Sequence, residues 1–189
     1  MTDSMLDSVI VPTTRELGDG FEVRRALPAA GRRMVGPFVF FDQFGPTILS
    51  PGRGLDVRPH PHIGLSTLTW LLQGEIVHRD SLGTQQPIRA GEVNWMTAGS
   101  GIVHSERSDI AQRTSHASLF GLQCWIALPR AHEETAPDFT HLKAKDLPVL
   151  EGEGAASASP APPVIASEAK QSIPAPTGAT NAAPAPPVI

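Results

Sequence analysis

LSTLTWLLQGEIVHRDSLGTQQPIRAGEVNWMTAGSGIVHSER, residues 65–107, is the stretch that decides the fold. Its apolar residues come in short runs, and each run stops at a glycine-bearing turn. Leu65–Leu72 stops at Gln73-Gly74, and Glu75–Arg79 is followed by Ser81-Leu-Gly83. Gln85–Arg89 stops at Ala90-Gly91, while Gly99-Ser-Gly101 separates Glu92–Met96 from Ile102–Arg107. Turn signals spaced roughly ten residues apart, with helical periodicity nearly absent, predict an all-β barrel or jelly roll. Pro87 has no N–H to give a neighbouring strand, so Gln85–Arg89 is expected at a sheet edge.

Outward from this stretch, Ala117–Ala127 reads as a further strand and Phe38-Val-Phe-Phe41 as a buried apolar run. Only Ala131–Glu134 and Leu142–Leu147 suggest helical turns. The character changes near residue 150. Of the 39 residues from 151 to 189, 26 are Ala, Pro, Ser or Gly and none is aromatic. Such a segment cannot bury enough apolar surface to offset its ordering entropy. We therefore expect a folded domain over 1–150 and a disordered tail over 151–189. The hexamer Pro160–Ile165 recurs at Pro184–Ile189, too few copies for a repeat architecture.

With 189 residues, the chain has room for one ordinary domain. A formal net charge of −4 without any extended Lys/Arg run gives no footprint for nucleic acid. No stretch approaches the roughly 20 apolar residues of a membrane helix, and Met1–Asp7 lacks the apolar run of a secretory signal. A single cysteine, Cys124, excludes an internal disulfide and fits a reducing compartment. These features lead us to expect a soluble cytoplasmic protein.

Two pairs of side chains carry chemistry. Arg58-Pro-His60-Pro-His62 has two imidazoles two residues apart, and His104-Ser-Glu106 repeats the spacing with an imidazole and a carboxylate. Strand side chains alternate faces, so each pair shares a face. Pro59 and Pro61 favour the extended backbone this requires. On adjacent strands the two pairs would converge on one point. Imidazole and carboxylate together suit Fe, Mn, Cu, Ni or Zn. A lone His-x-His is common in surface loops and would mean little; two such pairs make a metal site the sharper reading.

The surrounding residues resemble a family. His60-Pro-His62-Ile-Gly-Leu-Ser-Thr-Leu-Thr-Trp70 resembles the first cupin motif of bacterial pirins, and Gly91–Glu106 resembles the second. Asp42-Gln-Phe-Gly45 and His78-Arg-Asp-Ser81 match the same style, and the resemblance covers roughly residues 6–150. It implies a cupin barrel (a double-stranded β-helix) holding one divalent transition metal, Fe(II), on His60, His62, His104 and Glu106. Ser66 and Thr67 stand where a general cupin carries its glutamate, and pirins take that carboxylate from the second motif, here Glu106. Pirins are usually two-barrel proteins, so the resemblance implies that the tail stands in place of a second barrel and that apolar surface is left open. It also implies quercetin 2,3-dioxygenase activity, the O₂-dependent opening of a flavonol's central ring, with Glu106 accepting the 3-hydroxyl proton. The alternatives are an iron-dependent regulatory protein that binds a protein partner without catalysis, and a truncated product without function.

Other residues read more plainly. His78 and Asp80 are expected to be polar strand-end residues, with a contact to the metal ligands as the other reading. Trp70, Trp95 and Trp125 read as core or pocket wall, and Trp95-Met96 as a candidate lining for a planar aromatic ligand. Cys124 reads as a small buried residue. Ser105 points away from its neighbouring ligands. His116, His132 and His141 read as solvated or structural. Gly99-Ser-Gly101 reads as a tight turn that brings backbone close to the site.

Overall fold

A computed structural model describes residues 8–17 and 21–149. The expected tail falls outside these residues, as does the boundary at 150. The strands are β1 (Thr13–Glu16), β2 (Glu22–Leu27), β3 (Phe38–Leu49), β4 (Asp56–His62), β5 (Leu65–Gln73), β6 (Glu75–Asp80), β7 (Gln85–Arg89), β8 (Val93–Thr97), β9 (Ile102–Arg107), β10 (Ala117–Ala127) and β11 (Asp138–Leu142). They form a seven-stranded sheet in the order β1-β2-β3-β10-β5-β8-β11 and a four-stranded sheet in the order β4-β9-β6-β7. Pairing among the described residues is antiparallel throughout. The all-β expectation holds.

The core lies between the two sheets. Val23, Phe44, Leu71 and Leu119 come from the larger sheet, and Ile76 and Ile88 from the smaller one. Leu55, just before β4, closes the cluster. A second cluster of Met96, Ala98 and Ile102 packs with Phe139 of β11. Both proline-bearing strands of the smaller sheet lie at its edges: β7 with Pro87 on one side, β4 with Pro59 and Pro61 on the other. There a missing N–H leaves no neighbouring carbonyl unpaired.

Several local expectations need correction. Phe38–Phe41 belongs to the long strand β3 and is only partly buried, with Phe38 exposed. Trp70 lies on the outer side of β5 and is 39% exposed, so it is neither core nor pocket wall. Met96 is in the second core cluster, and neither it nor Trp95 lines the cavity beside His60 and His62. The two expected helical turns are 3₁₀ turns at Arg130–His132 and Ala144–Asp146. A short helix, α1 (Ile110–Arg113), was not anticipated; the Asp109 carboxylate caps it by accepting from the Ile110 N–H. Gly99 is needed for a different reason than expected. Its backbone is left-handed (φ +51°), and a Cβ there would collide with the Thr135 carbonyl rather than approach the site.

Candidate metal centre

The antiparallel register of the smaller sheet assembles the site. His60 of β4 lies opposite His104 of β9, and His104 in turn lies opposite Asp80 of β6. Two residues along, His78 lies opposite Glu106. Residues opposite one another in an antiparallel pair share a face. The inner face of this sheet therefore presents a block of imidazoles and carboxylates. His62, His78, His104 and Glu106 are all buried, and His60 is partly buried.

Three of the four expected ligands converge. The Nε2 atoms of His60 and His62 each lie 3.1 Å from Nε2 of His104. Nδ1 of His60 donates to the Arg58 carbonyl at 2.8 Å, which leaves its Nε2 as a bare lone pair. Lone pairs crowded at this distance repel unless a proton or cation sits between them. Metal–nitrogen bonds of about 2.1 Å meeting near a right angle place donor atoms about 3 Å apart, so the cluster fits a metal ion. Glu106 is placed differently. It groups with His78 and His104, donor atoms within 4.8 Å of one another, and not with the three-imidazole group. It faces the same cavity as His60 and His62.

Electrostatics favour the metal-ready form. Burial pushes His104 down to about 2, helped by His60, His78 and His62. Burial, then His60, pushes His62 down to about 4. Both imidazoles are therefore neutral at ordinary pH, as coordination requires. Burial raises the Glu106 carboxyl, and this outweighs the hydrogen bond from Thr69 and the nearby His78 and His60.

Sequence reasoning missed the groups that support Glu106. The Thr69 hydroxyl donates to Glu106 Oε1 at 2.8 Å and lies 3.0 Å from the Gln123 side-chain amide. Thr69 and Leu71 alternate onto the inner face of β5, a period-two signal present in the sequence. Gln123 comes from β10, 54 residues away, and no local pattern marks it.

A cavity of about 290 Å³ opens onto His60, His62 and Glu106. Its wall includes Phe40 stacked on Trp125, with ring centroids 4.1 Å apart, and Trp125 also meets the His62 ring edge-on. Arg25 grips Asp42 with two hydrogen bonds of 2.8 Å and lies over the Phe40 ring, fixing that side of the wall.

The remaining residues behave largely as read. Cys124 is buried and its thiol is pushed up to about 11 by burial, which makes it inert. His116 and His132 are exposed, and His141 is structural through Asn94 at 2.8 Å. No helix of the described residues is long and apolar enough to cross a membrane.

Comparison with known proteins agrees with this architecture. The family model described as Pirin matches residues 20–126. A pirin-like protein of Caulobacter vibrioides is 52% identical over 153 residues, covering 79% of this chain and 52% of the relative. Two crystal structures of quercetin 2,3-dioxygenase from Acinetobacter baumannii superpose with TM-scores of 0.69 and 0.67 at 44% and 33% identity. Each covers 76% of this chain, and 46% and 50% of those chains respectively. The chain thus spans about half the length of the relatives it matches. The match over more than half of the sequence and the shared cupin-type β architecture show that this chain belongs to the pirin family.

Proposed function

We propose that this chain is a metal-dependent dioxygenase domain acting on flavonols, in which His60, His62 and His104 would hold Fe(II) and Glu106 would serve as a base facing the same cavity. The observation that carries this reading is the three-imidazole cluster, two members of which, His60 and His62, line an aromatic-walled cavity. The names of the Acinetobacter relatives supply the substrate class.

When bound, the metal would supply Lewis acidity toward a substrate oxygen and a site for oxygen chemistry. The chain's own residues do the rest. Phe40 and Trp125 give the cavity an aromatic wall, which suits a ligand with a ring system. At about 290 Å³ the cavity is near the lower end of small-molecule sites, about 300–1,000 Å³. Glu106 accepts the proton of the flavonol 3-hydroxyl. Its raised affinity for protons suits a base, and Thr69 holds the carboxylate oxygen in place.

The test is oxygen uptake with quercetin by protein reconstituted with Fe(II) under anaerobic loading. Flavonol-dependent oxygen consumption with carbon monoxide release is expected. Glu106→Gln should retain metal and lose about 10²–10⁴-fold in turnover, the usual worth of a general base. Iron bound near one equivalent with no oxygen uptake on any flavonol would sink the enzymatic reading. Full activity in Glu106→Gln would sink the base.

A further inference from the structure

We propose that Gln123 is a substrate-positioning residue that selects ring ligands carrying two oxygens on neighbouring carbons. Glu106 meets one oxygen and the Gln123 amide meets the other. This deepens the flavonol reading given above and rests on it for the oxygen at Glu106.

The register of the larger sheet brings Gln123 to the site. Arg25 of β2 lies opposite Asp42 of β3, Asp42 opposite Gln123 of β10, and Gln123 opposite Thr69 of β5. Opposed residues share a face, so four polar side chains form a row across the inner face of four strands. Asp42 and Thr69 are buried, and Gln123 is partly buried. Trp125, two residues along β10, shares that face and meets the His62 ring edge-on. Arg25, Asp42 and Gln123 line the same cavity as Glu106.

Within this row Gln123 has a hydrogen-bonding end to offer. Arg25 and Asp42 are spent on each other through two hydrogen bonds of 2.8 Å. The single hydroxyl of Thr69 lies 2.8 Å from Glu106 Oε1 and 3.0 Å from one end of the Gln123 amide. Among the described residues, that hydroxyl is the one hydrogen-bond partner of the Gln123 side chain. A primary amide has a second end. Most of the cavity wall around it is apolar or aromatic. A polar group set among such walls is costly unless a ligand or water completes it.

The chemistry of the partner follows from the shared hydroxyl. Gln123 and Glu106 both touch Thr69, so an oxygen held by Gln123 lies close to one held by Glu106. Two oxygens on neighbouring ring carbons meet this condition. A hydroxyl both donates and accepts, so it pairs with whichever end of the amide it meets, and the NH₂ end also serves a ring carbonyl. Catechol carries two such hydroxyls. A flavonol carries its 3-hydroxyl beside its 4-carbonyl.

The test is calorimetric titration of full-length protein loaded with zinc(II), a redox-inert ion, with catechol, 3-hydroxyflavone and phenol. Wild type should bind catechol more tightly than phenol. Gln123→Leu should lose about 2–10-fold in affinity for catechol and 3-hydroxyflavone, the net worth of one hydrogen bond, and should bind phenol as wild type does. Gln123→Met, which keeps the length of the side chain, is the second variant and should show the same selective loss. A role confined to holding Thr69 would weaken all three ligands alike. That result would overturn the proposal, as would unchanged affinity for catechol and 3-hydroxyflavone, or wild type that binds neither. Wild type that takes catechol but not 3-hydroxyflavone would sink the flavonol reading, while a selective loss on catechol would still support Gln123. Selective loss without oxygen uptake would sink the dioxygenase reading alone.

Discussion

The Thr69 hydroxyl donates to Glu106, and this contact favours ionisation of a carboxylate whose burial works against it. A hydrogen bond to a charged acceptor is worth about 1.5–3 kcal/mol. Thr69→Val keeps the shape and removes the donor. The Glu106 pKa in metal-free protein should therefore rise further, read from ¹³C NMR titration of the side-chain carboxyl. An unmoved titration would show that Thr69 does not stabilise the ionised form. At this scale, the convergence of three of the four expected side chains was legible because strand alternation puts His60 with His62 and aims His104 inward. Glu106 shares that inner face, but its nearest donor partners, His78 and Thr69, come from two other strands, β6 and β5. The His78–Asp80 pair shows the same limit. Its i, i+2 spacing predicts a shared face, whereas its contact with His104 follows from the β6–β9 register, which no local residue states.

Gly74, between β5 and β6, is where the chain leaves one sheet for the other. Its backbone is left-handed (φ +88°), and a Cβ would run into the Ser118 carbonyl of β10. Gly74→Ala thus combines an unfavourable conformation with a collision against backbone, which cannot rotate away as a side chain could. Strained backbone of this kind costs on the order of 1–3 kcal/mol before any collision. Chemical denaturation should show at least that loss with an unchanged m-value; a variant as stable as wild type would mean the β5–β6 turn can relax. Gly83→Ala makes a useful contrast. Gly83 is equally left-handed (φ +88°) but has open space around it, so it should cost less. The glycine punctuation that exposes these turns is also what made β5 to β9 readable in the sequence. β3 was harder. Its twelve residues include Gly45-Pro46, which reads as a break, yet β3 continues through it because a register shift against β10 near Leu119 absorbs the irregularity.

At the scale of the molecule, the same inner face that gathers metal ligands also makes the fold sensitive to acid. The metal-free protein keeps His62 and His104 neutral, pushed down to about 4 and about 2 chiefly by burial. In the unfolded chain both return to about 6.5. Between 6.5 and the folded values the unfolded state binds more protons, so stability is fully present above about pH 6.5 and falls as pH drops below it. Each group can cost at most about 1.4 kcal/mol per pH unit, hence about 2 kcal/mol by pH 5. Asp80, held below its ordinary value, works in the same direction but only in stronger acid. Glu106 works oppositely. Its folded value is raised, so its contribution is present at low pH and lost as pH rises, which flattens the net profile. Thermal unfolding of metal-free protein should therefore show a lower Tm at pH 5.0 than at pH 7.5. Glu106→Gln, lacking the opposing group, should steepen that difference. A Tm that stays level between the two pH values in both proteins would mean that the imidazoles take up protons in the folded state, and that the cluster is more open to water than its burial implies.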